Sequence, residues 1–261
     1  MKINVHAGHN PDGKIACGAV GLIKESTEAR KVKNSVISML KSLGHTVYDC
    51  TVDDGTSQSN VLTKIVKKCN AHTVDLDVSI HFNSGASDKV GNGKTTGTEV
   101  YIYSASEGAK HYAENVCKEI AALGFKNRGV KVRTDLYVLR KTDSPAMLIE
   151  CCFVDDKDDV QLYNAEAMST AIVKGITGQV VAQTTTTPPT TTTTMTSTSG
   201  TSYKVKITAD VLNVRSGAGA SYKVTTTVRK GEVYTIVEEK DGWGKLKSGA
   251  GWISLKYTEK C

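Results

Sequence analysis

Three histidines of this sequence lie at the predicted ends of strands. The stretch INVHAGHN (3–10) carries His6 and His9 directly after a short apolar run, and VSIHFN (78–83) carries His81 in a similar setting. Two histidines, a glutamate and one open position form a ligand set of catalytic zinc. Because zinc lowers the pKa of a bound water to about 7, such a set predicts hydrolysis of an amide or similar bond.

Three glutamates are candidates for the remaining roles. Glu25 and Glu28 open a predicted helix, where they would also complement the helix dipole. Glu150 lies inside the apolar run AMLIECCFV (146–154), where a charge is costly unless it is paired or metal-associated. A carboxylate beside a zinc-bound water acts as general base and then passes the proton to a leaving amine.

The segments that must position these residues alternate between strands and helices. Short apolar runs predict strands, and apolar residues at helical spacing predict helices. Strands are predicted at 3–5, 45–50, 76–82, 98–104 and 146–154, and helices at 25–43, 58–69, 107–123 and about 164–182. The alternation predicts an α/β fold with a twisted, mostly parallel sheet flanked by helices. Ligands of such open sheets bind at the carboxyl ends of the strands.

A threonine-rich segment separates this domain from a second one. Residues 184–202 contain 12 threonines among 19 residues and no charged or aromatic residue, so they cannot bury enough apolar surface to fold. We predict a catalytic domain at 1–182, a linker at 183–202 and a small all-β, SH3-like barrel at 203–261. The last range has short strand-like runs separated by frequent turn signals, which are typical of such barrels.

The distribution of charge limits the possible partners. Residues 1–182 carry 22 basic and 21 acidic side chains, whereas residues 203–261 carry 11 and 6, so +5 of the net charge of +6 lies in the C-terminal domain. This excess indicates either an anionic partner, such as a wall polymer, or merely a solubilising surface. Its basic residues form no clustered helix and no stacking-aromatic pattern, so we expect no nucleic-acid partner.

The sequence also indicates where the protein is made. The N-terminus MKINVHAGHN lacks the apolar segment of a secretory signal, so we expect synthesis in the cytoplasm, and action outside the cell would require release by another component. No apolar run approaches the roughly 18 residues of a membrane span, so we expect no membrane insertion.

Motifs of other chemistries are missing. The seven cysteines have irregular spacing and no C-x-x-C, which argues against a disulfide framework and a cysteine zinc site; most are expected to be buried. KVGNGKTTG (89–97) has Asp88 where a phosphate-binding loop needs glycine, and it precedes a strand, so it is predicted to be a surface loop. No G-x-S-x-G or H-E-x-x-H occurs, so a zinc site must draw its ligands from distant positions.

The N-terminal 180 residues resemble a known family. In chain order the landmarks are AGHN (7–10), the helix of Glu25, VSIHFNS (78–84), TTGTEVYIY (95–103), NRGVK (127–131) and LYVLRKTDSPAMLIECCFVDD (136–156). This ordered set resembles the zinc-dependent N-acetylmuramoyl-L-alanine amidases, in the branch used by endolysins of phages with Gram-positive hosts.

The resemblance implies a set of zinc ligands. It implies that His9 of AGHN and His81 of SIHFN bind Zn²⁺ together with a helix-opening glutamate. The family's spacing from this glutamate to the glycine that ends the helix points to Glu25. Ala29 stands where the family often has asparagine, which keeps Glu28 as the alternative.

The resemblance implies further roles around the metal. Glu150 matches the catalytic glutamate of the family motif VE-x-GF, in which Cys152 here replaces glycine. His6 falls where the family often has aspartate and becomes a neighbour of the site. Asn83 and Arg140 match recurrent positions, and they are implied to bind substrate or to support the ligands.

The C-terminal domain resembles bacterial SH3-type wall-binding domains on ADVLNVRSGAGASYKVTTTVRKGE (209–232), DGWGKL (241–246) and GAGWISLKY (249–257). Its tryptophans, Trp243 and Trp252, are either barrel core or ligand platform. Together the resemblances imply a phage endolysin that cleaves the amide between N-acetylmuramic acid and L-alanine and binds peptidoglycan and wall polymers. They also imply synthesis in the host cytoplasm and action at the cell wall after release. A bacterial autolysin, a cysteine-type wall peptidase and a non-catalytic wall-binding protein remain alternatives, and the sequence does not indicate the oligomeric state.

Overall fold

A computed structural model describes residues 1–106, 108–179, 203–215, 217–219, 222, 224–240, 242–247 and 250–261. The chain divides into two compact units, Met1–Thr186 and Thr187–Cys261. The linker that we predict at 183–202 lies outside the described residues, and each unit is taken by itself.

The N-terminal unit is built on a six-stranded sheet. Its strands are β1 (Lys2–Ala7), β2 (Thr46–Asp49), β3 (Leu76–Asn83), β4 (Thr98–Ile102), β5 (Asn127–Val132) and β6 (Ala146–Phe153). They lie in the order β2-β1-β3-β6-β4-β5. The first four in this order are parallel, whereas β4 is antiparallel to β6 and parallel to β5. The predicted mostly parallel sheet is confirmed.

Helices cover both faces of this sheet, but unequally. They are α1 (Glu25–Ser42), α2 (Gln58–Cys69), α3 (Lys110–Ala121), α4 (Tyr137–Lys141), α5 (Lys157–Leu162) and α6 (Ala165–Thr177). Helices α1, α3 and α6 pack over one face with the main apolar core, and α2 and α4 pack on the other with a smaller core. Within the described ranges, no helix is both long and apolar enough to cross a membrane.

The two faces of the sheet differ in polarity because successive strand residues point in opposite directions. On the side of α1, α3 and α6 the strands contribute buried apolar residues such as Val5, Ile80 and Ile149. The alternate positions form what we call the polar face, which consists of Asn4, His6, Asp77, Ser79, His81, Glu99 and Glu150. The candidate site lies where this face reaches the carboxyl ends of β1, β3 and β6.

Most predicted elements are found with shifted ends. The helix predicted at 107–123 begins at Lys110, and the closing helix ends at Thr177 because Gly178 follows in the left-handed conformation (φ 69°). Three elements were not predicted: β5, α4 and α5. Residues 89–97 form the predicted loop between β3 and β4.

The C-terminal unit is an all-antiparallel β structure, which confirms the predicted class. Its strands are β7 (Tyr203–Ile207), β8 (Val211–Arg215), β9 (Val224–Arg229), β10 (Val233–Lys240), β11 (Trp243–Leu246), β12 (Trp252–Ser254) and β13 (Thr258–Lys260). They lie in the order β13-β7-β10-β11-β12-β8-β9 around a small apolar core that includes Val205, Val214, Ile236 and Ile253.

Candidate metal centre

Three side chains predicted as ligands converge at the edge of the polar face. His9 Nε2 lies 3.2 Å from Glu25 Oε1, and His81 Nδ1 lies 3.0 Å from the same oxygen. The two imidazole rings meet edge to face with centroids 4.9 Å apart. One donor atom from each residue lies within 4.8 Å of the other two, an arrangement that suits a metal ion. The donor set is that of a catalytic zinc site with an open position.

Buried hydrogen bonds fix the backbone that carries His9. Arg30 of α1 donates to the carbonyl oxygens of His9 (2.7 Å) and Val52 (3.2 Å). Asn10 is fully buried and exchanges two hydrogen bonds with Gly55, donating to its oxygen (2.7 Å) and accepting from its nitrogen (3.0 Å). The asparagine of AGHN therefore holds the turn and does not face the metal centre.

Two glycines make room for the ligands. A Cβ atom on Gly8 would lie 1.8 Å from His81 Cε1, so any side chain there would displace the imidazole. A Cβ on Gly18 would lie 2.5 Å from Glu25 Oε2 and 2.8 Å from His9 Cδ2. Gly18 also has a φ of 79°, which disfavours other residues.

Glu25 is held as an anion between the two histidines. Its Oε1 accepts from the backbone nitrogen of Phe82 (3.2 Å), and its Oε2 accepts from that of Ala19 (2.7 Å). Burial acts to raise the pKa of Glu25, but hydrogen bonds and charge from His81 and His9 outweigh it and hold that pKa well below its usual range. A buried carboxylate that stays ionised beside two imidazoles is suited to a divalent cation.

His81 is oriented by its other ring nitrogen. His81 Nε2 lies 2.9 Å from Ser79 Oγ, so a proton assigned to Nε2 leaves the Nδ1 lone pair directed at the centre. Burial lowers the pKa of His81, which favours the neutral form that binds metals. His6 Nδ1 lies 3.5 Å from the same serine oxygen. Burial lowers the pKa of His6 to about 3, so His6 is a neutral neighbour behind His81.

Glu28 lies outside the cluster. Its Oε1 pairs with Lys31 Nζ at 2.6 Å, and its Oε2 accepts from the Tyr163 hydroxyl at 3.1 Å. Both oxygens thus have partners on the helix side of the sheet. Of the two helix-opening glutamates, Glu25 is the one that meets the histidines.

Glu150 is the exceptional carboxylate of the polar face. It lies directly opposite His81 in the register of β3 and β6, and its Oε2 is buried without a hydrogen-bond partner in the part of the chain that the structure describes. Burial, and then the charges of Glu25 and Glu99, raise its pKa well above the usual value. An orphaned buried carboxyl group with a raised pKa beside a metal centre is suited to proton transfer.

Glu99 was not predicted, although it occupies the position opposite Glu150 on β4. It is 2% exposed and pairs with Arg128 Nε at 2.7 Å and with Lys131 Nζ. It also accepts from the hydroxyl of Tyr101. These partners overcome the effect of burial and lower the pKa of Glu99 to about 2. The signal that identified Glu150, a glutamate within an apolar strand, is equally present in TEVYI.

Asn83 and Arg140 have different surroundings. Asn83 Nδ2 donates to Glu99 Oε1 (2.8 Å), and its Oδ1 accepts from the nitrogen of Ser84 (2.8 Å), so Asn83 lies next to the Glu99 cluster. Arg140 lies on α4, is exposed, and has its guanidinium 6.0 Å from the ring centroid of Tyr137. Asn83 therefore contacts the Glu99 cluster, and the roles expected for Asn83 and Arg140 stay predictions.

Four aspartates shape the loop that follows Asn83. They accept hydrogen bonds from backbone nitrogens along residues 85–97. Asp155 accepts from Gly85, Ala86 and Ser87, and Asp156 accepts from Thr96. Asp158 accepts from Asn92 and Gly93, and Asp159 accepts from Gly97. The run VDDKDD after β6 thus fixes the course of the loop from β3 to β4.

Five of the seven cysteines have the character of buried apolar residues, whereas Cys17 is partly exposed and Cys261 is exposed. Those of the sheet and of α2 and α3 are buried, namely Cys50, Cys69, Cys117, Cys151 and Cys152. Burial raises the pKa of Cys117 to about 12, and it raises those of Cys151 and Cys152 well above their usual range. Such thiols are poor nucleophiles, so the geometry does not favour any of these buried cysteines as the nucleophile of a cysteine peptidase.

In the C-terminal unit both tryptophans are partly exposed. Trp243 lines a cleft with Arg215, Ser254 and Tyr257. The ring of Trp252 lies under the Lys245 ammonium, 5.7 Å from its centroid. Neither tryptophan belongs to the fully buried core.

Comparison with protein families gives matches to both units. A model described as N-acetylmuramoyl-L-alanine amidase matches residues 3–181, and a model described as bacterial SH3 domain matches residues 210–259. Together with the fold and the His-Glu-His centre, these matches define the class as a modular amidase. The chain belongs to the N-acetylmuramoyl-L-alanine amidase family.

Similar proteins come from clostridia, bacilli and a phage. An uncharacterized 38.4 kDa protein of Clostridium perfringens is 34% identical over 92% of this chain and 70% of its own length. The uncharacterized protein CPE1502 of the same species is 38% identical over 62% of this chain and 47% of its own. The endolysin of Bacillus phage SPP1 is 32% identical over 65% of this chain and 60% of its own. The chain thus spans less than two thirds of the last two.

Solved structures share the fold of the N-terminal unit. The catalytic domain of the CD27L endolysin targeting Clostridia difficile has a TM-score of 0.61 at 25% identity, over 69% of this chain and 98% of that domain. The catalytic domain of CwlV, an N-acetylmuramoyl-L-alanine amidase from Bacillus (Paenibacillus) polymyxa, has a TM-score of 0.55 at 28% identity, over 68% and 97%.

Proposed function

We propose that the N-terminal unit hydrolyses the amide bond between N-acetylmuramic acid and the L-alanine of the peptidoglycan stem peptide. Family membership supports the reaction class. The observation that carries the proposal is the unpartnered Oε2 of Glu150, which is buried opposite His81 in the sheet register and beside the His9–Glu25–His81 cluster. This combination joins a metal-binding set to a carboxyl group that is free to exchange protons.

His9, Glu25 and His81 are the residues that would hold Zn²⁺. When bound there, zinc supplies Lewis acidity toward the amide carbonyl and lowers the pKa of water. The chain's own contribution is to keep Glu25 ionised, to keep His81 neutral with Nδ1 directed inward, and to leave room for the rings at Gly8 and Gly18.

Glu150 has the role of general base and then general acid. Its carboxylate accepts a proton from the attacking water as the new C–O bond forms at the lactyl carbonyl carbon. It then returns that proton to the amide nitrogen as the C–N bond breaks, which releases the amino group of L-alanine and a carboxylic acid. The burial that raises the pKa of Glu150 assists the second step, since it favours a protonated carboxyl group.

The C-terminal SH3-type unit is proposed to hold the enzyme at peptidoglycan and wall polymers. Its excess of basic residues suits an anionic surface, and tethering raises the local concentration of the catalytic unit without adding chemistry. We further propose that the protein acts as an endolysin in host cell lysis, which is supported by its similarity to the phage SPP1 endolysin and to the CD27L catalytic domain.

Mass spectrometry of digested peptidoglycan tests the proposal. The zinc-loaded chain is expected to produce new amino termini on L-alanine while the glycan strands gain no reducing ends. Glu150→Gln is expected to lower the rate by roughly 10²–10⁴-fold, the usual contribution of a general acid–base residue, and to leave binding to walls unchanged. New reducing sugar ends, or cuts within the peptide, would contradict the amidase reaction. Full activity of Glu150→Gln would contradict its role.

A further inference from the structure

A cationic cluster lies on the polar face beside Glu150. Arg128 and Lys131 of β5 both pair with the buried carboxylate of Glu99, which is itself opposite Glu150 on the neighbouring strand. Two cations share one anion, so the cluster carries a net charge of +1. The reaction proposed for the metal centre and Glu150 does not involve this positive charge.

The pairing with Glu99 leaves most of the Arg128 guanidinium available. Only Nε donates to Glu99 Oε2, at 2.7 Å, and a guanidinium has four further N–H groups. The guanidinium carbon lies 5.0 Å from the ring centroid of Phe153, which supports it from one side. The side chains of Arg128 and Lys131 are 29% and 42% exposed, whereas Glu99 is buried. The carboxylate that orders both cations is thus inside, while both cationic side chains stay partly exposed to solvent.

The cluster continues a row of functional side chains across the sheet. His81, Glu150 and Glu99 are successive register partners on β3, β6 and β4, and neighbouring strands lie about 4.8 Å apart. The Arg128 guanidinium reaches Glu99 and therefore lies about one strand spacing beyond Glu150. An extended peptide rises about 3.3 Å per residue, so the carboxylate on the second residue of a peptide whose first nitrogen lies at Glu150 would come within reach of this guanidinium.

We propose that Arg128, assisted by Lys131, binds the carboxylate of an acidic second residue in the peptide leaving group, and so determines specificity for acidic over amidated stem peptides. This inference rests on the proposed amide hydrolysis only for the orientation of the substrate. Glu99 is then a positioning residue: it orders both cations and hydrogen-bonds Asn83. Arginine suits the task because its planar donors match a carboxylate in pairs.

Binding to two matched ligands tests this inference without requiring turnover. The ligands are N-acetylmuramoyl-L-alanyl-γ-D-glutamyl-L-lysine amide and the same compound with an α-carboxamide on the second residue. Calorimetry is performed on the full chain carrying Glu150→Gln. We expect the carboxylate ligand to bind roughly 10–100-fold more tightly, as for a charge-assisted hydrogen-bonded pair. Equal affinities would overturn the proposal before any arginine is changed.

Substitutions then assign the preference to a residue. Arg128→Gln, in the Glu150→Gln background, is expected to remove the preference by weakening only the carboxylate ligand, and Arg128→Lys to retain part of it. Arg133→Gln is the matched control, because Arg133 follows the other end of β5 and pairs with Asp135. A preference that survives Arg128→Gln, or an equal loss for both ligands, would show that Arg128 merely balances the charge of Glu99.

The two proposals can fail independently. If the unsubstituted chain releases no L-alanine amino termini from walls, the amidase reaction is wrong, while the ligand preference is still measured directly. If hydrolysis occurs but the two ligands bind equally, the amidase reaction stands and the carboxylate subsite is wrong.

Discussion

Glu150 and His81 face each other across adjacent parallel strands, β6 and β3, as direct register partners. Their side chains therefore leave the sheet on the same face and at the same level. This relationship brings a carboxyl group whose pKa is raised next to a histidine of the candidate metal centre, although the two residues are far apart in the sequence. Their proximity results from the pairing of the two strands and not from a local sequence motif.

Gly8→Ala is expected to disrupt the metal centre while the fold persists. The new methyl group would occupy the position of the His81 ring, so zinc affinity should fall by roughly 100-fold or more, as when support of a ligand is lost. Competition with a chromophoric chelator measures the affinity, and circular dichroism monitors the fold. Gly108→Ala is the control, because a Cβ there meets only ordinary contacts with Pro145. Unchanged zinc affinity in Gly8→Ala would refute the assigned role of His81.

The two histidines of the first loop are expected to differ in zinc binding. His9→Ala should lose bound zinc, because His9 Nε2 is one of the three converging donors. His6→Ala should keep most of it, because the hydrogen bond of His6 is to Ser79 Oγ and not to Glu25, the carboxylate that both ligand histidines meet. Metal content after dialysis, measured by mass spectrometry of the two variants side by side, checks this. The reverse order of zinc loss would contradict the geometry.

Chelation and thiol blockade are expected to have opposite outcomes. Removing zinc should abolish wall lysis, and adding zinc back should restore it, because the proposed reaction depends on the metal. Iodoacetamide should change the rate little, since the thiols of the sheet are buried and have raised pKa values. Turbidity of a suspension of purified walls gives both rates. Lysis that persists without zinc but stops after alkylation would favour the cysteine-peptidase alternative.

Asp77→Asn is expected to stabilise the N-terminal unit at neutral pH. Burial raises the pKa of Asp77 to about 6, above its unfolded value near 3.9. Stability from the protonated form is therefore fully present below pH ~3.9 and is lost as the pH rises through about 6. Above pH 7 the charged group costs roughly 2–3 kcal/mol, which the amide avoids.

Urea unfolding at pH 5 and pH 7.5 measures this effect through the transition of the N-terminal unit. The difference in free energy of unfolding between variant and wild type should be larger at pH 7.5. Asn4 assists the variant, because its Oδ1 is buried without a partner among the described residues, and Asn4 Nδ2 already bonds Asp77 Oδ1 at 2.6 Å. An equal difference at both pH values would contradict the raised pKa.

The sequence allowed the fold class and the long elements to be predicted, because apolar periodicity reflects burial directly. It also identified Glu150, since a charge inside an apolar strand signals a special environment. Strand β5 was missed because three of its six residues, NRGVKV, are polar and one is glycine, and two of the polar residues are there to pair with Glu99. The need for glycine at position 8 could not be predicted from the sequence, because it depends on the imidazole ring of His81, more than seventy residues away.

The aspartates that hold the loop after β3 have a consequence for how this protein can diverge. Each of them binds backbone amides, so these particular contacts do not depend on which side chain the contacted loop residue carries. Side chains at other positions of the loop can therefore change without loss of these contacts, and the constraint falls on Asp155, Asp156, Asp158 and Asp159 and on the loop glycines with positive φ, such as Gly97 (98°).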